Sequence, residues 1–243
     1  MRNFVALTRR ELLSVYVSPL AYGAAAVFMF LFGAFFVVQF ARLKLVEVTA
    51  VVEPLGHILP ALVAPVLTMR LLAEERRMGT LEMLMTAPVG DLEVVLAKFF
   101  GVWIFYASMV ALTAAHVGAM LWFYDGSVDW GGFAAGYLGM LLMAGLFLAY
   151  GLFVSSLFES PILAALIAFV SGLLVLMAGF LISSPVLVKP GLQQDILNFL
   201  MPFKHYATFL QGVVDTRDLV YFAASIAYLL FLTTKVVESR KWR

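Results

Sequence analysis

Three histidines, at positions 57, 116 and 205, are the residues of this chain whose type suits proton transfer or metal binding. His57 and His205 have no metal-ligating set close to them in the sequence. His116 falls inside a long apolar run without a carboxylate partner, which favours a neutral, hydrogen-bonded packing role over a proton relay. The sequence therefore predicts no metal site and no catalytic residue.

Motifs that would identify an enzyme are missing. The sequence contains no G-x-x-x-x-G-K-[ST] phosphate loop, no H-E-x-x-H and no G-x-S-x-G, which argues against a P-loop ATPase, a zinc protease and a serine hydrolase. It contains no cysteine, which excludes disulfides and thiolate metal sites. No basic patch interleaved with aromatic residues indicates nucleic acid. We expect no cofactor in this chain and no nucleic-acid partner.

The composition is that of a membrane protein. Of 243 residues, 63% are hydrophobic and 13% are charged, whereas an ordinary soluble domain has about 25% charged residues. Spanning a bilayer takes about 20 apolar helical residues, and six segments qualify. They lie at about 20–40, 57–72, 95–123, 133–157, 161–182 and 220–236. The predicted fold is an all-α polytopic membrane protein with six transmembrane helices in a single domain, 1–243.

The distribution of Lys and Arg predicts the orientation of these spans. If both termini are cytoplasmic, most basic residues lie on the inner side, as the positive-inside rule requires. The segments then assigned to the outer side hold Arg42, Lys44, Lys189, Lys204 and Arg217.

Two further segments are predicted to lie at the membrane surface. In residues 1–18, the apolar positions lie largely opposite Arg9, Arg10 and Glu11, which is typical of an interfacial elbow helix. Residues 183–218 are too apolar for a solvated loop and are interrupted by Pro202. They predict one or two short interfacial or re-entrant helices on the outer face.

The most polar run, EERRMGTLEMLMTAPV at 74–89, separates the second span from the third. Gly79 is expected to end the preceding helix, and Thr80 can cap a new one that Pro88 prevents from continuing. Glu82 is favourable in the first turn of that helix. Its apolar side would consist of Leu81, Leu84 and Met85. From the residues alone, a solvated turn that enforces topology stays open beside a short helix that transmits motion.

Three parts of the sequence resemble those of a known family. They read RREL at 9–12 with SPLAY at 18–22, LTMRLLAEERRMGTLEMLMTAPVGDLEVVLAKF at 67–99, and HYATFLQGVVDTRDLVYF at 205–222. The chain resembles the permease subunits of type-2 ATP-binding-cassette exporters, the ABC-2 permeases, particularly their gliding-motility-associated branch. The specific part of the likeness is the block E-E-[RK]-x-x-G-T-[LI]-E-x-L, followed by a Pro and by a Lys that opens the next span.

The resemblance implies a role for each part. Residues 1–18 would be the elbow helix, and 74–91 would contain the coupling helix, which docks in a groove of a separate ATPase subunit. ATP and magnesium would be bound by that subunit. The implied coupling interface consists of Glu74, Glu75, Arg76, Arg77, Gly79, Thr80, Leu81, Glu82, Leu84, Met85 and Pro88. The implied assembly is an exporter in a bacterial inner membrane, with two ATPase subunits and a second permease, either another copy or a homologue.

An alternative is a complex that transports nothing and passes ATP-driven movement to a periplasmic or envelope partner. A membrane-embedded hydrolase or transferase is disfavoured because the sequence has no polar catalytic cluster.

Smaller features carry predictions of their own. Lys98, near the inner end of the third span, is expected to snorkel to lipid head groups. Small residues at 135 and 139 and at 145 and 149 allow close helix approach, and we favour internal packing over a dimer contact. Ser160 and Pro161 are expected to cap and begin the fifth span.

Overall fold

The structure is a computed structural model that describes residues 2–43, 48–79, 90–123, 129–182, 196–197 and 199–239. The regular elements of these residues are helices. They are α1 (Arg2–Val17), α2 (Pro19–Leu43), α3 (Val48–Thr68), α4 (Ala73–Arg77), α5 (Asp91–Phe123), α6 (Trp130–Leu157), α7 (Pro161–Ile182), α8 (Pro202–Leu210) and α9 (Thr216–Glu238).

Six stretches of the described residues are long and apolar enough to cross a membrane. They are Pro19–Gln39, Val52–Arg77, Asp91–His116, Trp130–Leu157, Pro161–Gly179 and Thr216–Glu238. The predicted fold class, all-α with six spanning helices, is confirmed. The helix over residues 2–17 also lies where the sequence predicts one.

The helix of the second span begins earlier than predicted, at Val48 rather than near His57. The charge of Glu53 weakens the apolar signal there, and prolines follow. The helix contains Pro54, Pro60 and Pro65. It continues through them because α2, α6 and α7 pack around it, and neighbouring helices compensate for the backbone bonds that proline removes.

Two other spans start earlier because an aspartate caps each of them. The Asp129 carboxylate accepts a hydrogen bond from the Gly131 backbone N–H at 3.0 Å, before α6. The Asp215 carboxylate accepts one from the Arg217 N–H at 2.9 Å, before α9. Such caps satisfy N–H groups that lack a partner in the first helical turn. Ser160 is placed similarly before α7, with its hydroxyl 3.4 Å from the Leu163 N–H, as predicted.

α6 is the central helix and packs against α3, α5, α7, α8 and α9. Small residues on α6 allow this close approach. A Cβ added at Gly139 would lie 2.8 Å from the Cβ of Phe209, and one at Gly145 would lie 3.0 Å from Ile226. The predicted internal packing of these small residues is therefore confirmed. By contrast, α2, α7 and α9 expose large apolar side chains such as Phe30, Leu174 and Phe231.

The two ends of the bundle are built from different elements. At the first, which we call the terminal end, α1 packs on the start of α5, and α4 contacts the end of α6. At the opposite end, which we call the far end, α8 packs on the first turns of α3 and α6.

α8 is the described part of the predicted outer-face helices. Residues 183–195 and 198 lie outside the described residues. Pro202 stands in the first turn of α8, where proline is favourable because its missing N–H needs no partner. Tyr206 and Phe209 are fully buried. The Tyr206 hydroxyl donates a hydrogen bond to the Val52 carbonyl at 2.9 Å, and burial raises the pKa of this phenol well above its usual range. It is therefore a neutral donor.

Candidate functional site

The polar run at 74–89 begins with the short helix α4, which follows a break in the second span. α3 ends at Thr68, and residues 69–72 form a turn before α4. The hydroxyl of Ser155, on α6, accepts hydrogen bonds from the backbone N–H groups of Leu72 at 3.3 Å and Ala73 at 3.1 Å. It donates to the Met69 carbonyl at 3.1 Å. One buried hydroxyl thus satisfies backbone groups that the break leaves without helical partners.

Glu75 points from α4 to a buried lysine. Lys98 Nζ lies 2.6 Å from Glu75 Oε1 and 3.3 Å from Glu11 Oε2. The Lys98 side chain is only 2% exposed, and those of Glu11 and Glu75 are 11% and 22% exposed. An ammonium group can be buried at this depth because two carboxylates compensate for its lost hydration. The prediction that Lys98 snorkels to lipid head groups is wrong.

Arg76 extends from the other side of α4 towards the turn between α6 and α7. Its guanidinium group donates to the Ser156 carbonyl at 3.2 Å and to the Glu159 carboxylate at 2.8 Å. The Glu159 side chain is 73% exposed, so water competes for this ion pair. Glu74 lies 3.7 Å from Arg70, one helical turn earlier.

Gly79 ends the described part of the segment. Its φ of +69° is in the left-handed region, which a residue with a side chain rarely adopts. The Met78 N–H bonds to the Glu74 carbonyl and the Gly79 N–H bonds to the Arg76 carbonyl, so the chain turns away directly after α4. The predicted role of Gly79 as a helix stop is confirmed. Arg77 and Met78 are exposed beside it.

The predicted coupling helix itself lies outside the described residues, which resume at Gly90. It includes the site residues Thr80, Leu81, Glu82, Leu84, Met85 and Pro88. Asp91 and Glu93 stand in the first turn of α5, where negative charge is favourable.

The N-terminal residues singled out in the sequence divide between two environments. Arg9 and Arg10 are exposed, whereas Glu11 is buried and faces Lys98. α1 lies close against α5, since a Cβ added at Gly101 would lie 3.0 Å from the Cβ of Glu11. The structure therefore brings Glu11 and Glu75 together, although they are far apart in sequence. Lys98 links them, a role that the sequence does not predict because it assigns this lysine to the membrane surface. The available signal is a lysine near the start of a span, directly followed by Phe99 and Phe100.

The histidines have packing or structural positions. His116 packs against Phe32 and Phe36 of α2, as predicted, but its Nδ1 has no hydrogen-bond partner among the residues that the structure describes. His205 Nδ1 lies 2.6 Å from the buried Asp218 carboxylate, and its ring stacks on Tyr221 at 3.8 Å. Over the described ranges, the structure holds no cluster of three potential metal ligands.

Two clefts flank α4. A cavity of about 250 Å³ lies between α1, α2, α3 and α4, and Lys98 and Glu75 form part of its wall. A cleft of about 410 Å³ lies between α4 and the start of α7, lined by Arg77, Met78 and Ile162 among others. α4 thus stands between two recesses and contacts the bundle mainly through polar side chains.

This architecture defines a multi-pass membrane protein whose polar segment is attached to two neighbouring spans. The model of the ABC-2 transporter protein family matches residues 39–237, and the chain belongs to this family. It is therefore a transmembrane subunit of an ABC exporter. Members of the family are membrane components that lack an ATPase domain, and family membership implies an ABC ATPase as partner. A comparison with curated proteins finds no match.

Proposed function

We propose that the segment 74–91 is the attachment site of the partner ATPase, and that this chain uses the attachment to export a substrate across a bacterial inner membrane. Two ATPase subunits, which bind ATP and magnesium, would act on two permeases, either two copies of this chain or this chain and a homologue. Both termini and the attachment segment would be cytoplasmic, with α1 as the elbow helix. We also propose membership of the gliding-motility-associated branch, on the motifs at 9–12, 67–99 and 205–222.

The observation that carries this proposal is the anchoring of α4. A solvated turn needs no buried partners, yet α4 is held by an ion pair to Lys98, by the Ser155 hydroxyl and by the bonds of Arg76 to the end of α6. A force applied at Gly79 therefore passes to α3, α5 and α6 instead of being lost in a flexible loop.

The proposed contact has an apolar centre and a polar rim. Leu81, Leu84 and Met85 insert in a groove of the ATPase, and Glu82 and Arg77 make polar contacts around them. Gly79 and Pro88 limit the inserted element. ATP binding closes the two ATPases, and the spans α3 and α5 tilt with the segment. The nucleotide drives this change only as far as it binds one arrangement more tightly than the other.

The test is capture of the ATPase by the purified permease. Leu81→Asp combined with Leu84→Asp is expected to leave the chain inserted and folded but to abolish co-purification and the stimulation of ATP hydrolysis, because two carboxylates cannot be buried in an apolar groove. The matched control is Val213→Asp combined with Val214→Asp, two exposed residues at the far end, which should leave both readouts unchanged. Retained capture by the Leu81/Leu84 variant would contradict the proposal.

A second proposed function is transmission of movement to a periplasmic or envelope protein without transport. The tight packing of α8 at the far end supports it, since Tyr206 and Phe209 are fully buried there. This function predicts that wild-type complex hydrolyses ATP and captures an envelope protein through its far end, and that the Val213/Val214 variant loses that capture while it still binds the ATPase.

A further inference from the structure

Lys98 occupies the point where three helices of the terminal end meet. It belongs to the second turn of α5, and its ammonium group contacts Glu11 of α1 and Glu75 of α4. We propose that Lys98 is the positioning residue that makes α1 move together with α4 and the first turns of α5 when the ATPase acts. This inference rests on the proposed function, because it takes the segment 74–91 as the place where force enters.

Burial makes this link hard to break. The Lys98 side chain is 2% exposed, and neither carboxylate is more than 22% exposed. Separating the ammonium from both carboxylates would leave the nearly inaccessible Lys98 charge without its compensating partners, which is strongly unfavourable. Glu11 is also held by Arg10 at 2.7 Å, on the exposed side of α1. The three groups are therefore expected to stay together through a conformational change.

α1 is also fixed along α5 by contacts beyond Lys98. The close approach at Gly101 leaves no room for a side chain between the two helices. Farther along, the Tyr16 hydroxyl donates to the Ser108 hydroxyl at 2.9 Å, and the Tyr16 ring packs edge-on against Phe105 at 5.0 Å. α1 and α5 thus form one unit, and Lys98 joins α4 to it.

The bonds between α4 and α6 have a different character. Ser155 holds the turn at 69–72, before α4 begins, through neutral hydrogen bonds to the backbone. The ion pair of Arg76 with Glu159 is accessible to water because the Glu159 side chain is 73% exposed. The turn therefore stays with α6 and serves as a pivot, whereas Glu75 ties the body of α4 to α5 and α1.

The experiment compares ATPase coupling with the movement of α1 in the complete complex. Lys98→Met removes the link, and the charge exchange Lys98→Glu with Glu75→Lys restores an ion pair and allows the new lysine to reach Glu11. We measure co-purification of the ATPase, the stimulation of ATP hydrolysis, and hydrogen exchange of α1 and of residues 74–79 with and without trapped ATP. Glu159→Gln is the control for an exposed pair.

In the wild type, ATP should change hydrogen exchange in α1 and in residues 74–79 together. Lys98→Met should still capture the ATPase but lose stimulation about fivefold or more, the range of a typical coupling between sites, and α1 should no longer respond together with residues 74–79. The charge exchange should restore both readouts. Equal coupling in wild type and Lys98→Met would overturn the inference and leave the proposed function intact.

Two outcomes separate failure of this inference from failure of its basis. If the wild type does not capture the ATPase, the proposed function fails and the inference fails with it. If Lys98→Met does not fold, Glu75→Gln decides, because it weakens the link between α4 and the α1–α5 unit and keeps the pair between Lys98 and Glu11. A folded Glu75→Gln complex in which ATP still changes the hydrogen exchange of residues 74–79 and of α1 together would overturn the inference.

Discussion

The helices are joined by different interactions at the two ends of this bundle. At the terminal end, helices that are distant in sequence meet through charge, since Glu11, Glu75 and Lys98 form one buried ionic group. At the far end, α8 is held by the packing of aromatic side chains, and Tyr206 and Phe209 are fully buried. The ionisable pair there, His205 and Asp218, is close in sequence.

The far-end polar group shows the contrast most clearly. Asp218 accepts hydrogen bonds from the Thr208 hydroxyl and contacts His205, which is 13 residues away in the chain. These partners join α8 to the helix that directly follows it. The ion pairs of Lys98 instead span 87 and 23 residues. Charge at the terminal end therefore connects elements that are distant in sequence, whereas the His205–Asp218 pair joins two consecutive helices.

The largest predicted effect distinguishes the two buried carboxylate sites. Lys98→Met should lower the stability of the detergent-solubilised protein by about 3–5 kcal/mol, because it removes the buried cation that Glu11 and Glu75 share, although Arg10 stays beside Glu11. Asp218→Asn should cost about 1 kcal/mol, because an amide can still bond to Thr208 and His205. Thermal unfolding of both variants checks this, with Lys98→Arg as the control that keeps the positive charge. Equal losses for the two sites would show that the terminal end does not depend on charge.

A smaller effect tests how much close packing against glycine stabilises each end. A Cβ at Gly56 would overlap the Tyr206 ring, and one at Gly151 would overlap the Thr68 hydroxyl. Gly56→Ala should cost about 1–3 kcal/mol, since a buried ring cannot move aside without disturbing the core. Gly151→Ala should cost about 1 kcal/mol, because Thr68 can rotate at the expense of one hydrogen bond.

The matched control for these two variants is Gly23→Ala. Gly23 lies in α2 with no atom within 4 Å of an added Cβ, so alanine should be neutral or slightly stabilising there. If Gly151→Ala proved more harmful than Gly56→Ala in thermal unfolding, the far end would not be the end held by shape.

The smallest predicted effect concerns the exposed pair. Glu159→Gln removes the charge that Arg76 contacts, but Arg76 keeps its bond to the Ser156 carbonyl. The loss of stability should stay below about 1 kcal/mol and should decrease in high salt, as is typical of exposed ion pairs. A loss as large as that of Lys98→Met would mean that α4 is anchored to α6 and α7 instead of to α1 and α5.

The sequence predicts the terminal end and the far end unequally well. Span number and helix class follow from long apolar runs, and Gly79 follows from the need for a left-handed residue after α4. The burial of Lys98 does not follow, because hydropathy assigns a lysine at the end of a span to the membrane surface. Its partners are distant in sequence, so only packing of α1 on α5 reveals them. The packing of the Tyr206 ring on Gly56 cannot be predicted from the sequence for the same reason, since these two residues are also distant in the chain.

The boundary errors have a local cause. Prolines and Glu53 weaken the apolar signal at the start of α3, although tertiary packing keeps the helix intact. The Asp129 and Asp215 caps extend α6 and α9 beyond their apolar runs. Sequence patterns thus locate the lipid-spanning part of each helix better than its capped ends.

The central claim is that the partner ATPase holds the segment between Gly79 and Gly90, and site-specific photocrosslinking tests it most directly. A photoreactive residue at position 84 should form a covalent adduct with the ATPase in the assembled complex. The same residue at position 213, at the far end, and at position 162, at the start of α7, should form little or none. An ATPase adduct from position 162 or 213, with none from position 84, would contradict the account.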